Sequence, residues 1–376
     1  MPTSRIKNIL VTGGAGFIGS FLVDELIKRD YAVRIFDNLE TQVHQRKKPL
    51  YLNPKAEFIR GDVRNREALR KAIRGCDVVF HLAAAVGVGQ SMYEIKKYVD
   101  VNVGGTANLL DIVVRDNIKL KKLVVPSSMT CYGEGMYRCS RHGAIRCGER
   151  PEFDLRHKQW EPRCPRCRST LFAISTKEGT PMALSSVYAL TKRAQEDLTL
   201  TTGGAYGIPV AILRLFNVYG PRQSLSNPYT GVTAIFLNRL KNNHEPLIYE
   251  DGNQSRDFVS VHDVVDAMIR AMKSSKADGQ VFNVGSGQAT SIKHVAESLA
   301  RLLGKNIKPR MAGTSRRKDI RHCTADISNI ARVLGWKPKV SFERGMKELI
   351  AWAAHESVRD HFDRAAGELK KKGLTR

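Results

Sequence analysis

Tyr188 and Lys192 stand four residues apart in Ser186-Val187-Tyr188-Ala189-Leu190-Thr191-Lys192, with Ser127-Ser128 far upstream. If residues 185–200 are helical, both side chains lie one turn apart on one face and reach the same small volume. A tyrosine is a poor base near neutrality, with an ordinary pKa of about 10. A neighbouring ammonium stabilises the phenolate, so Tyr188 becomes able to exchange a proton with a sugar or alcohol hydroxyl. The spacing alone fits an ordinary amphipathic helix equally well. The elements that must position the pair decide between the two.

The first such element lies at the start of the chain. Residues 8–12 read as a short buried strand, and Gly13-Gly14-Ala15-Gly16-Phe17-Ile18-Gly19 follows before the helical pattern of 20–29. Gly14-x-Gly16-x-x-Gly19 therefore falls where a dinucleotide-binding turn must fall, with glycines for tight turning and a helix N-terminus for the pyrophosphate. A second strand, 32–36, ends at Asp37, near the offset of roughly 20 residues expected of a ribose-binding acid. Its carboxylate can accept an adenosine 2′-hydroxyl and would repel a 2′-phosphate, which favours NAD over NADP.

Strand and helix patterns continue to alternate. Residues 58–63 contain Gly61-Asp62-Val63, 77–81 run into Leu82-Ala83-Ala84, and 123–126 end at Ser127-Ser128. Alternation of this kind predicts an α/β fold with a Rossmann-like, doubly wound parallel sheet. Ligands of such sheets lie beyond the C-terminal strand ends, so Asp62, Ala83-Ala84 and Ser128 are expected around one cleft.

Taken together, these stretches resemble the extended short-chain dehydrogenase/reductases, in particular the nucleotide-sugar epimerases and dehydratases. Asp37-Asn38, Asn102, residues 127–133, 213–222 (Leu-Arg-Leu-Phe-Asn-Val-Tyr-Gly-Pro-Arg), 256–259 and 282–285 add to the match, which spans nearly the whole chain. The resemblance implies that Ser128 holds the reacting sugar oxygen, Tyr188 is the acid/base, and Lys192 binds the nicotinamide ribose while tuning Tyr188. It also implies that Gly13, Gly14, Gly16, Phe17, Ile18, Gly19, Asp37, Asn38, Asp62, Val63, Leu82, Ala83, Ala84 and Asn102 surround NAD. Asn217, Arg222 and Arg256 would face the nucleotide diphosphate, with Val88, Thr130 and Asn283 as further substrate contacts. Arg321 would either reach the sugar nucleotide or sit in an internal ion-pair network.

Met129-Thr130 narrows the chemistry. Sugar 4,6-dehydratases of this family carry an acidic pair directly after the position of Ser128, and neither residue here can ionise. A 4-epimerisation needs only Tyr188, Ser128 and NAD. Residues 86–95 and 226–232 are similar to a branch that interconverts dTDP-L-rhamnose and dTDP-6-deoxy-L-talose. A UDP-hexose 4-epimerase is the competing assignment, and decarboxylases of the family lack a clear acidic candidate here.

Residues 134–180 depart from the family pattern, which crosses this interval with a much shorter loop. Cys139-x-x-His142 and Cys164-x-x-Cys167 each let two ligands from one tight turn reach a tetrahedral ion, so a zinc-ribbon-like insert with one structural zinc is expected. Cys147 is the alternate fourth ligand. Disulfides are the rival, but no apolar secretory segment follows Met1, so a cytoplasmic, reducing setting is expected.

With 376 residues, the chain is expected to form an NAD-binding lobe over 1–217, with 134–180 as a zinc-bound flap beside the cleft. A smaller α/β substrate lobe over 218–376 is expected to return its 258–285 stretch partly to the first. The net charge of +24 concentrates in 138–168, Arg316-Arg317-Lys318 and the C-terminal lysines. Such charge attracts anionic nucleotide sugars, and it also raises a reading from another class, a non-catalytic NAD-sensing or RNA-binding relative. The intact Ser128, Tyr188 and Lys192 set favours the enzyme. The family precedent is a homodimer, and no run suited to membrane insertion is present.

Overall fold

The structure, a computed structural model, describes residues 6–44, 47–316 and 319–375; Arg317 and Lys318 of the basic stretch lie outside them. The amino-terminal strands are β1 (Asn8–Thr12), β2 (Ala32–Asp37), β3 (Glu57–Arg60), β4 (Val78–His81) and β5 (Lys122–Ser128). The insert supplies β6 (Met136–Cys139), β7 (Gly143–Arg146) and β8 (Phe172–Ile174). Beyond it come β9 (Val210–Leu215), β10 (Asn217–Tyr219), β11 (Leu247–Ile248), β12 (Ser255–Ser260), β13 (Gln280–Val284), β14 (Ala289–Ser291), β15 (Arg310–Met311) and β16 (His322–Cys323).

The expected doubly wound sheet is present, seven strands in the order β13-β9-β5-β4-β1-β2-β3, all parallel. Its central strands are buried on both faces, which is why they read as near-continuous apolar runs such as residues 210–213. One face packs Leu22, Leu26, Val264 and Met268 against the sheet, and the other packs Leu69, Leu109 and Val113. The order reverses between β1 and β4, so the carboxyl ends of those strands open a crevice there. Polar register holds that crevice in place: Thr12 lies beside His81, its Oγ1 is 2.9 Å from His81 Nδ1, and His81 Nε2 is 3.1 Å from Thr106 Oγ1. Burial pulls the His81 imidazole down to about 3, so it stays neutral.

A second lobe forms on the β10-β12-β14 sheet, with β16 beside β12 and a core of Phe236, Leu237, Leu299 and Met346. The insert folds as a small antiparallel sheet, β7-β6-β8. Its apolar cluster holds only Tyr137, Cys139, Cys147, Cys164 and Leu171 as buried members. So small a cluster needs a staple to stay ordered. No helix among the described residues is long and apolar enough to cross a membrane.

Candidate active site

A cleft of about 420 Å³ lies at the reversal point. Its floor is the turn after β1, where Gly13 takes a positive φ of 70° and a Cβ there would lie 2.7 Å from the Ala83 nitrogen. A Cβ on Gly19 would sit 2.2 Å from the Gly13 carbonyl oxygen, so the helix Phe17–Ile27 can approach the turn only without one. No side chain caps that helix, which leaves its first N–H groups facing the cleft. Asp37 closes one end. Its Oδ2 accepts the Ala15 N–H at 3.0 Å and its Oδ1 the Leu39 N–H at 2.8 Å. Each oxygen keeps a second lone pair for a hydroxyl, so a ribose fits. Burial raises the Asp37 carboxyl, against those two bonds. Asp62 accepts from Asn38 at 2.9 Å, and its bonds to Arg64 hold it down to about 2.

The other end carries the proton chemistry. Ser186 caps the helix Val187–Tyr206 by accepting the Ala189 N–H at 3.1 Å, which sets Tyr188 and Lys192 on the inward face. Ser128, the last residue of β5, accepts from Thr130 N–H at 3.2 Å and from the Thr130 hydroxyl at 3.0 Å, and it lines the cleft together with Tyr188. Burial pushes the Tyr188 phenol up to about 12, with Ser128 opposing. The Lys192 ammonium donates to Gln195 Oε1 at 2.6 Å, and burial lowers it to about 8. Behind this face Arg214 and Glu196 form a buried ion pair, Nε to Oε1 at 2.9 Å and Nη2 to Oε2 at 2.8 Å, that ties the helix to β9.

Of the residues singled out in the sequence, Gly13, Gly16, Phe17, Ile18, Gly19, Asp37, Asn38, Asp62, Val63, Leu82, Ala83, Ala84, Ser128, Tyr188 and Lys192 all line this one cleft. Others do not. Gly14 faces Ile35 of the sheet. Asn102 is fully buried in a turn of π-helix, Val99–Gly104, and its amide pins Ala85 N–H at 2.7 Å and Thr191 Oγ1 at 3.0 Å. Val88 is exposed, and Thr130 stands behind Ser128. Asn217 keeps a buried Oδ1 without a hydrogen-bond partner. Arg222 pairs with Asp24 at 2.8 Å and lies over Phe21 and Tyr51. Arg256 donates to the carbonyls of Ser255, Ile320 and Arg321 and to Asp319. Asn283 is buried, its amide joining Tyr132 OH at 2.6 Å to the Thr176 carbonyl at 2.8 Å.

Arg321 resolves to the second of its two readings. It is 0% exposed and is enclosed by three carboxylates, with Nη1 2.9 Å from Glu250, Nη1 2.6 Å from Asp251 and Nε 2.9 Å from Glu161. A guanidinium satisfied by three acids has no donor left for a phosphate. Sequence reading also missed Gln42, Gln90, Tyr98 and Asn227, which line the cleft; Gln90 and Asn227 sit in the two loops flagged at 86–95 and 226–232.

In the insert, Cys139 and His142 lie at the β6–β7 hairpin, and Cys164 and Cys167 in a second hairpin closed by the Cys164 N–H to Ser169 carbonyl bond at 2.8 Å. Their ligand atoms all fall within 4.8 Å of one another. Cys139 Sγ is 3.5 Å from His142 Nδ1 and 3.7 Å from Cys167 Sγ, and Cys164 Sγ is 3.4 Å from His142 Nδ1. Edges of this length match a tetrahedron with metal–sulfur bonds of about 2.3 Å, and they are far longer than a disulfide's roughly 2.05 Å. Cys147 stands outside this group in the apolar cluster, where burial pushes its thiol up to about 12. None of the described residues 134–180 lines the cleft itself. The insert is sewn to residues 250 and 319–322: Glu134 accepts the Arg321 and His322 N–H groups at 2.9 Å, and Arg150 pairs with Glu250 at 2.6 Å.

Comparison with known proteins gives concordant matches. The sequence pattern of the NAD dependent epimerase/dehydratase family matches residues 9–147, and that of GDP-mannose 4,6 dehydratase matches 171–349. The stretch between them falls inside the insert. A dTDP-L-rhamnose 4-epimerase of Burkholderia thailandensis is 38% identical over 93% of this chain and 96% of its own length. The solved UDP-glucose 4-epimerase of Thermotoga maritima with UDP-glucose superposes with a TM-score of 0.75 at 31% identity, covering 92% of this chain and 98% of that one. The UDP-glucuronic acid 4-epimerase of Bacillus cereus, solved with UDP-glucuronic acid and NAD, gives 0.73 at 29%, covering 92% and 99%.

Proposed function

The chain belongs to the NAD dependent epimerase/dehydratase family, and from that premise we propose that it is a nucleotide-sugar 4-epimerase. The observation that carries this reading is the convergence of Ser128, Tyr188 and Lys192 on the cleft that Asp37 also lines, with Met129-Thr130 beside Ser128 offering no ionisable group. Dehydration across C5 and C6 needs an additional acid and base, and epimerisation does not.

Gly13, Gly16, Gly19, Asp37 and Asp62 would hold NAD, which when bound supplies a reversible hydride acceptor. Ser128 binds the sugar 4-oxygen, and Tyr188 takes its proton as that carbon becomes a carbonyl. The ring turns over in the cleft, and Tyr188 returns the proton once the opposite face has been reduced, so there is no net redox change. Replacing Gly19 by Ala, which drives a Cβ toward the Gly13 oxygen, is expected to cut the dinucleotide retained through purification at least about tenfold; nucleotide released on denaturation and resolved by chromatography measures it.

For the sugar we favour dTDP-L-rhamnose and dTDP-6-deoxy-L-talose, supported by the 38% identity above and by Val86, Tyr98 and Tyr229 in the cleft wall. An apolar wall suits a C6 methyl group better than a hydroxymethyl. Incubation with a panel of dTDP- and UDP-sugars, read by product chromatography, tests this: the 6-deoxy pair should interconvert fastest, and turnover confined to UDP-glucose and UDP-galactose would replace it with the hexose reading. Cys139, His142, Cys164 and Cys167 would hold one structural zinc, a reading that the donor set and its edges support.

A further inference from the structure

The carboxyl-terminal helix Phe362–Lys371 lies far from the catalytic residues in sequence, yet it joins the two loops that flank them. Glu368 Oε2 accepts the Tyr229 hydroxyl at 2.8 Å and the Tyr93 hydroxyl at 3.3 Å, and the two phenols meet at 2.6 Å. Leu369 packs against Gly89, where a Cβ would come within 3.1 Å of it, and the Lys372 ammonium lies 4.9 Å from the Tyr93 ring centre. Arg239 anchors the start of the helix through Asp360 and Asp363, at 3.2 and 2.9 Å.

Both loops reach the cleft. Tyr229 and Asn227 line it from one side, and Gln90 and Val86 from the other. Gln42 Nε2 stitches them across the opening, donating to Gln90 at 3.3 Å and to Asn227 at 2.9 Å. The Gln90 loop also touches the catalytic helix, because Ser91 Oγ accepts the Tyr188 N–H at 3.0 Å. A second cavity of about 410 Å³ separates the carboxyl-terminal helix from this bridge and is walled by Gln42, Gln90, Asn227 and Tyr229 on its cleft side. With space behind them, these side chains are held by their hydrogen bonds more than by packing.

We propose that Glu368 is a positioning residue for the sugar: it clamps the Tyr93 and Tyr229 loops together and so fixes the sugar end of the cleft against Tyr188. This rests on the reading above that the Tyr188 end takes the sugar. A charged acceptor shared by two phenols is a strong tie, and its removal leaves the Tyr229 hydroxyl without its acceptor and the phenol pair untied from the carboxyl-terminal helix, with a cavity to move into.

The test uses the full chain with NAD bound and the sugar nucleotide that the wild type turns over best. Glu368→Ala is expected to raise KM for it about tenfold, with a smaller fall in kcat, and to leave the affinity for the free nucleoside diphosphate within about twofold by calorimetry. Glu368→Gln, which keeps an acceptor oxygen, should recover most of the loss. In a Tyr93→Phe, Tyr229→Phe background, Glu368→Ala should add nothing further. An unchanged KM in Glu368→Ala, or an equal loss of free nucleoside diphosphate affinity, overturns the clamp while leaving the catalytic reading standing. A wild type that turns over no sugar nucleotide would remove the catalytic reading instead.

Discussion

Tyr188→Phe is expected to lower epimerisation by a factor of about 10⁴ or more while sugar-nucleotide affinity changes by less than about threefold. The substitution removes one oxygen and keeps the ring, whose edge-on contact with Tyr98 at 6.3 Å and helix position do not depend on the hydroxyl. The lost atom is the phenol oxygen that shares the cleft with Ser128, so the proton of the sugar hydroxyl would lose the acceptor assigned to it beside Ser128. Turnover measured by product chromatography and affinity measured by calorimetry separate the two effects. Substantial residual epimerisation would mean that another group carries the proton.

The pH dependence follows from the same two side chains. Tyr188 ionises at about 12 and Lys192 loses its proton at about 8. Well below pH 8 the ammonium stays charged and the phenolate fraction climbs tenfold per unit; through pH 8 the ammonium is half lost, and above it falling ammonium offsets rising phenolate. The kcat/KM profile should therefore rise through neutrality and level off near pH 8, and Lys192→Met should remove that break. A profile that declines steadily from neutrality to pH 10 would contradict the assignment.

The residues readable in sequence are those whose role is fixed by short-range spacing at a strand end. Gly13, Gly16 and Gly19 follow β1 at the intervals a phosphate turn needs, Asp37 closes β2 and Ser128 closes β5, so locating the strands located the cleft. Asn102, Asn283 and Arg321 are ambiguous in sequence for one physical reason. An amide or guanidinium that ties loops together has the same chemistry as one that grips a ligand, and only the partners tell them apart. Those partners come from remote stretches: Thr191 for Asn102, Thr176 for Asn283, and Glu161, Glu250 and Asp251 for Arg321. Glu368 gives no sign in sequence of its tie to Tyr93 and Tyr229 in the two flagged loops, because only the fold joins them. The four-ligand cluster lies at the opposite extreme, since two x-x pairs declare themselves wherever the chain carries them.

Cys164→Ser is expected to abolish zinc binding at the proposed four-ligand site and to disorder the insert without unfolding the seven-stranded sheet. Structural zinc contributes on the order of 10 kcal/mol to small sites of this kind, and the insert's own cluster of five buried side chains offers little to replace it. Its ties to the substrate lobe are polar, through Glu134, Arg150 and Glu161, and each needs the insert already folded to hold its geometry. Trypsin should then cut among Arg138, Arg141, Arg156, Arg163 and Arg166, all outward-facing or half-buried, while NAD stays bound to the core. Elemental analysis should fall from one zinc per chain to near none. Cys147→Ser, altering a thiol outside the ligand group, should keep both metal and protease resistance. A zinc-free Cys164→Ser protein with an uncut insert would show that the hairpins stand without the ion. Disorder confined to the insert would also free Arg321 from one of its three carboxylates, leaving Glu250 and Asp251 to hold it. Glu161 is 39% exposed, so solvent screens its share of the network and the lobe should loosen only locally; a lower midpoint of the first thermal transition with an unchanged second one is the signature to measure.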